Sequence, residues 1–124
     1  MRSRALLTSL ALGRLAVGAG LTAKPAGPLG AGWVGGEESR RPTNALLFRA
    51  VGARDMALAL GTLAAFREGS RLRPWLLAAT LADAADLVAT LTAGRAVPLQ
   101  GKATIAAVAG GAIAGQLALL RALD

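Results

Sequence analysis

"NALLFRAVGARDMALALGTLAAF" (residues 44–66) decides how this chain is read. At ~23 residues the run can cross the hydrocarbon core of a bilayer with some tilt. Yet Arg54 and Asp55 stand near its middle. A charge at the centre of a membrane helix costs on the order of 3 kcal/mol on insertion scales. The run is therefore a span only if those charges meet partners inside the protein.

The next apolar run offers the partners. "PWLLAATLADAADLVATLTA" (74–93) carries Asp83 and Asp86. Working outward, "ALLTSLALGRLAVGAGLT" (5–22) carries Arg14, and "KATIAAVAGGAIAGQLALLRAL" (102–123) carries Gln116 as its one deep polar residue. At ~1.5 Å per residue, Arg14, Arg54, Asp55, Asp83 and Asp86 all fall ~15 Å from a membrane edge. Arg49 lies nearer the end of its run and can snorkel to the headgroups.

The connections are punctuated. "AKPAGPLGAGWVGGEESRRPT" (23–43) is rich in Gly and Pro and is expected to break any helix, with Trp33 either at the membrane interface or simply covering the loop. Thr43 or Asn44 can cap the second run through a side-chain oxygen. "REGSRLR" (67–73) is a basic turn, after which Pro74 suits the first turn of a helix. "GRAVPLQG" (94–101) is a further turn. A cleaved leader is the plainer reading of the basic start, the apolar run and "VGA" at 17–19, but Arg14 interrupts the core that a leader needs.

Composition agrees. The 124 residues suffice for one domain, 54% are hydrophobic and only 3% aromatic, and 16 are Gly. Mean hydropathy is +0.51. Small residues with Leu suit helices packed closely in lipid, whereas strands want more β-branched and aromatic residues. The expected fold is all-α: an integral membrane, up-down four-helix bundle over 1–124, spanning at about 5–22, 44–66, 74–93 and 102–123.

The chain has no Cys and no His, so thiol chemistry, the commonest general base and the commonest metal ligand are excluded together. No cofactor or metal is expected; a carboxylate-only site would favour Mg²⁺. The net charge of +7 does not indicate nucleic acid, because the basic residues gather at the ends of apolar runs and stacking aromatics are scarce. The expected partner is the lipid bilayer, in a multi-pass protein of the cell inner membrane. Arg2, Arg4, Arg67, Arg71, Arg73 and Arg121 on one side barely outnumber Lys24, Arg40, Arg41, Arg95 and Lys102 on the other. The dense "REGSRLR" turn places both termini in the cytoplasm.

The central charges are two positive and three negative, so they nearly neutralise one another if they face inward. Asp83 and Asp86, three apart, share a helix face with Ala79 and Thr90. Arg54 and Asp55 point ~100° apart. Arg54 is expected to fork onto a carboxylate of the third run, as guanidinium geometry favours. Asp55 is expected to face Arg14 or a trapped water. Gly111 and Gly115 form a G-x-x-x-G step beside Gly110, expected to pack within the bundle rather than in a dimer.

"FRAVGARDMALALG" followed by "DAADL" resembles a family of small, uncharacterised four-span bacterial membrane proteins, a domain of unknown function. In that pattern one helix bears R-x-x-G-x-R-D and a later Gly, and the next bears paired Asp. The likeness falls on Arg49, Gly52, Arg54, Asp55, Gly61, Asp83 and Asp86, with Arg14 and Pro25 also in place. The last helix has no matching motif. The resemblance implies a four-helix integral membrane protein and no particular activity.

Three functions compete. The charges can be a register device in a structural or accessory protein. They can serve a membrane enzyme of cyclase, isomerase or epoxide hydrolase type acting on a lipophilic small molecule. Asp83 and Asp86 would then be the acid–base pair, with Arg54 and Asp55 in the catalytic set and Arg14, Thr90 and Gln116 binding substrate. Or they can mark a small proton-coupled transporter, which would work as a homo-oligomer. An enzyme predicts an apolar pocket ending at the carboxylates; a register device predicts mutually bonded charges and no cavity.

Overall fold

The computed structural model describes residues 2–124. Among them are six α-helices in the order α1 (Arg2–Ala23), α2 (Pro28–Val34), α3 (Gly36–Ser39), α4 (Pro42–Glu68), α5 (Leu72–Leu91) and α6 (Leu99–Ala122). One 3₁₀ turn, Gly94–Ala96, precedes α6. The chain is all-α, as expected, and each apolar run lies in one long helix.

The helix ends follow local chemistry. Pro42 stands in the first turn of α4, where its missing N–H leaves nothing unpaired. The expected Thr43 or Asn44 cap is not formed: Arg41 holds the cap position, and Asn44 Nδ2 donates to the Glu38 carbonyl at 2.7 Å. At the other end Gly69 takes the left-handed conformation (φ 66°), and Ser70 N–H donates to the Ala65 carbonyl at 3.0 Å. Segment 23–43 does not break every helix. It holds α2 and α3, because Pro28 opens a helix as readily as Pro25 prevents one.

Contacts among the long helices run from α1 to α4, α4 to α5, α5 to α6 and back from α6 to α1. The α1–α4 seam is the tightest. A Cβ on Gly18 would lie 2.6 Å from the Gly52 carbonyl oxygen, and one on Gly52 would lie 2.5 Å from that of Gly18. Only glycine lets two helices meet at that distance. The expected G-x-x-x-G surface of α6 is only half used: Gly115 faces Leu10, but Gly110 and Gly111 face nothing within 4 Å.

The apolar core lies toward the chain termini, where Leu7, Leu76, Leu119 and Leu120 cluster. The outer surface is apolar as well. Leu46, Leu47 and Leu60 of α4, Leu77, Leu81 and Val88 of α5, and Val108 of α6 are all exposed. Asp55, Asp83, Thr90 and Gln116 are buried instead. Polar residues inside and leucines outside invert the arrangement usual in water.

Helices α1, α5 and α6 are long and apolar enough to cross a membrane, which suggests a membrane protein. The fourth expected span is not among them. With 27 residues α4 has the length, but Arg49, Arg54, Asp55, Arg67 and Glu68 leave no span-length stretch apolar enough.

Candidate functional site

One residue from each long helix would suffice to tie the molecule together; here the tie is a continuous polar chain. Arg14 of α1 donates from Nη1 to Asp55 Oδ1 of α4 at 3.2 Å and from Nη2 to Asp83 Oδ2 of α5. Gln116 of α6 donates from Nε2 to the same Asp83 oxygen at 2.8 Å. Its Oε1 lies 2.9 Å from the Thr80 hydroxyl, which is also 2.8 Å from the Leu76 carbonyl. On the other side Asp55 Oδ1 accepts from Arg54 Nη2 at 3.0 Å. Arg54 then forks onto Asp86, Nη1 to Oδ1 at 2.9 Å and Nη2 to Oδ2 at 2.6 Å.

The expected fork of Arg54 and the expected meeting of Asp55 with Arg14 are thus both present. Arg54 also reaches its sequence neighbour Asp55, a contact the ~100° offset argued against. The long guanidinium stem makes up the difference. Five charges from three helices, with Gln116 from the fourth, form one network of charge-assisted bonds.

The three carboxylates are not equivalent. Both oxygens of Asp86 are held by Arg54. Asp55 and Asp83 each use one oxygen for every bond they accept, which leaves Asp55 Oδ2 and Asp83 Oδ1 without a hydrogen bond among the described residues. Both residues are only 7% exposed. Yet among the described residues no sealed side-chain oxygen or nitrogen lacks a partner. The two free oxygens are therefore not sealed, and both residues line the space beside them.

That space is a pair of adjoining cavities. A chamber of about 130 Å³ has Asp55, Asp83 and Asp86 on one wall, with Val17, Ile105 and Trp33 among its apolar walls. A wider recess of about 270 Å³ also ends at Asp55 and Asp83 and extends past Gly13 and Gly111. Both share Val17 and Val108. A separate void of about 20 Å³ between Arg14, Thr62 and Gln116 has room for one water.

Helix α2 closes the chamber's end. Trp33 Nε1 donates to Thr90 Oγ1 of α5 at 3.0 Å, and the Trp33 ring lies 5.5 Å from that of Phe48 on α4. A Cβ on Gly20 of α1 would lie 2.7 Å from Leu29, and one on Gly101 of α6 would collide with the Trp33 carbonyl. The short helix thus touches all four long ones. Trp33 therefore packs over the end of the bundle, and Thr90, expected to bind substrate, is 3% exposed and accepts from Trp33.

Gln116 and Arg14, expected to bind substrate, fix Asp83 from two sides and also line the wider recess. Thr80 was not singled out in the sequence; its signal was a hydroxyl three residues before Asp83 on a leucine-rich helix. No group of three or more acidic, His or Cys residues among the described residues could hold a metal ion. The arginines occupy the positions a cation would take beside these carboxylates. No family model, curated protein or solved structure matches the chain.

Proposed function

We propose that this is a four-span membrane protein whose central carboxylates act as an acid–base pair on the polar end of a lipophilic small molecule. The observation that carries the reading is the chamber of about 130 Å³ ending at two nearly buried carboxylates, each with one unbonded oxygen. Helix α4 is the fourth span in this reading. Its Arg54 and Asp55 turn inward and are paired, while Leu46, Leu47 and Leu60 face outward. Charges that point inward and meet partners do not bar α4 from lipid, although they lower the apolarity of its sequence. The resemblance to small four-span bacterial proteins, the inner-membrane location and cytoplasmic termini belong to the same proposal.

The chemistry follows from the count of charges. Two guanidiniums face three carboxylates, so the cluster is neutral when it retains one proton. Arg14 bridges Asp55 and Asp83, and a proton on one of their free oxygens makes one residue the acid and the other the base. Such a pair moves a proton within a substrate: the ionised Asp removes it from one carbon while the protonated Asp delivers one to another. Double-bond migration in an unsaturated ketone is the simplest such reaction, and it consumes nothing else. Asp55 and Asp83 are therefore the pair, in place of Asp83 and Asp86, and Asp86 positions Arg54.

A register device is the second reading, favoured by the completeness of the ion-pair network. The test is a long-chain β,γ-unsaturated ketone in nanodiscs containing the protein, made in D₂O. The acid–base reading expects conjugation of the double bond with deuterium incorporation, lost in Asp55→Asn and Asp83→Asn variants that keep wild-type helicity. Equal rates in wild type and both variants leave only the register device.

A further inference from the structure

The four seams between the long helices are unequal. The α1–α4 seam is shut by Gly18 against Gly52, whereas α1 and α6 touch least. At one end of the α1–α6 seam, Leu10 packs on Gly115; at the other, α2 lies across it through Leu29 and Trp33. Between these closures the seam is short of side chains. Gly13 and Gly111 both line the wider recess, both are exposed, and a Cβ on either would meet nothing within 4 Å. The recess runs inward from them to Asp55 and Asp83.

We infer that the α1–α6 seam is a lateral portal, through which a neutral single-chain lipophile with a small hydrogen-bonding head (an alcohol or ketone) enters from the bilayer. Its head meets Asp55 and Asp83, and its tail leaves between Gly13 and Gly111. The inference rests on the membrane-spanning reading above. Three observations select this ligand. The free oxygens belong to two residues that are nine-tenths buried and line the inner end of an apolar slit, where an O–H or, for a protonated Asp, a carbonyl completes their bonding. The chamber of about 130 Å³ is close to the ~150 Å³ cavity that takes up benzene, so it admits a small head and excludes a phospholipid headgroup. Finally, both guanidiniums are already held by the three carboxylates, so neither is left free to pair with an anionic head.

The glycines make the portal testable without disturbing the fold. Leucines at positions 13 and 111 would fill the slit, yet a Cβ at either position meets nothing within 4 Å. The probe is dodecanol carrying a diazirine, photolysed with the full chain in phosphatidylcholine nanodiscs, with labelled residues found by mass spectrometry. Wild type is expected to carry label near Val17 and Val108. The double variant Gly13→Leu/Gly111→Leu should lose it about tenfold, as a filled slit excludes the chain. Gly110→Leu, also facing open space but outside the recess, should label as wild type does. Excess dodecanol should compete and dodecanoate should not. Undiminished label in a double variant that melts like wild type overturns the portal, as does label confined to the outer face of α5. Equal competition by dodecanoate overturns the neutral head. Glycine-dependent labelling without conversion of the unsaturated ketone supports the portal and removes the acid–base reading.

Discussion

Arg54 of α4 grips Asp86 of α5 through both terminal nitrogens, at 2.9 and 2.6 Å, and leaves neither carboxylate oxygen free. Lysine keeps the charge at this position but cannot form the fork. The Arg54 side chain is one-third exposed, which moderates the loss. Arg54→Lys is expected to destabilise the protein by about 1–2 kcal/mol, less than the ~3–5 kcal/mol of breaking a fully buried pair. Thermal unfolding in detergent reads this directly. The double variant Arg54→Met/Asp86→Leu should recover part of the loss seen in Asp86→Leu alone, because it strands no charge. Additive losses in the pair would contradict the coupling.

The contact of Gly18 with Gly52 makes a second, steric prediction. A methyl group at either position lands on a backbone carbonyl, which cannot move aside as a side chain can. Gly18→Ala and Gly52→Ala are each expected to cost about 1–3 kcal/mol through overpacking. Gly111→Ala, facing open space, should be neutral or slightly stabilising, since alanine favours a helix by ~1 kcal/mol over glycine. A thermal series of the three variants would falsify the seam assignment if Gly111→Ala proved the most damaging.

Asp83 and Asp86 lie three residues apart on one helix but should behave differently in catalysis. Asp83→Asn removes a group with a free oxygen on the cavity, and conversion of the unsaturated ketone should fall by about 100-fold or more. Asp86→Asn weakens only the grip on Arg54 and should stay within about tenfold of wild type. Comparing the two rates under single-turnover conditions checks the order. The reverse ranking would return the acid role to Asp86.

Trp33 supplies a fourth prediction. Trp33→Phe keeps an aromatic ring near Phe48 but strands the Thr90 hydroxyl, at a cost of about 1 kcal/mol. Trp33→Ala also opens the end of the chamber, so it should admit water and raise quenching of a chamber-bound fluorescent alcohol by an aqueous quencher. No change in quenching would mean that α2 does not seal the chamber.

Much of this was legible in the chain before its fold. The four long helices follow the apolar runs to within a few residues, and depth counting alone brought Arg14, Arg54, Asp55, Asp83 and Asp86 together. The signal was strong because each charge stands alone in an apolar stretch. What stayed hidden depends on pairing between helices. Gly52 stands out only within the R-x-x-G-x-R-D pattern, and Gly18 not at all among 16 glycines, until two helices cross there. The G-x-x-x-G of α6, conspicuous in sequence, is largely unused by the fold. Helix α2 was hidden by its own Gly and Pro, whose local preference for turns is overcome by contacts with four neighbours. Which carboxylates keep a free oxygen depends on guanidinium placement, and no spacing rule reports it.

In the proposed four-span arrangement α4 crosses the membrane with its charges paired inside. The chain contains no cysteine, so single cysteines at Thr43 and Ser70, exposed just inside and just beyond the two ends of α4, can be labelled without background. Sealed membrane vesicles treated with an impermeant maleimide, before and after permeabilisation, give the sidedness of each. The two positions are expected to react from opposite sides of the membrane, with Ser70 on the same side as Arg4. Labelling of Thr43 and Ser70 from the same side would contradict that arrangement.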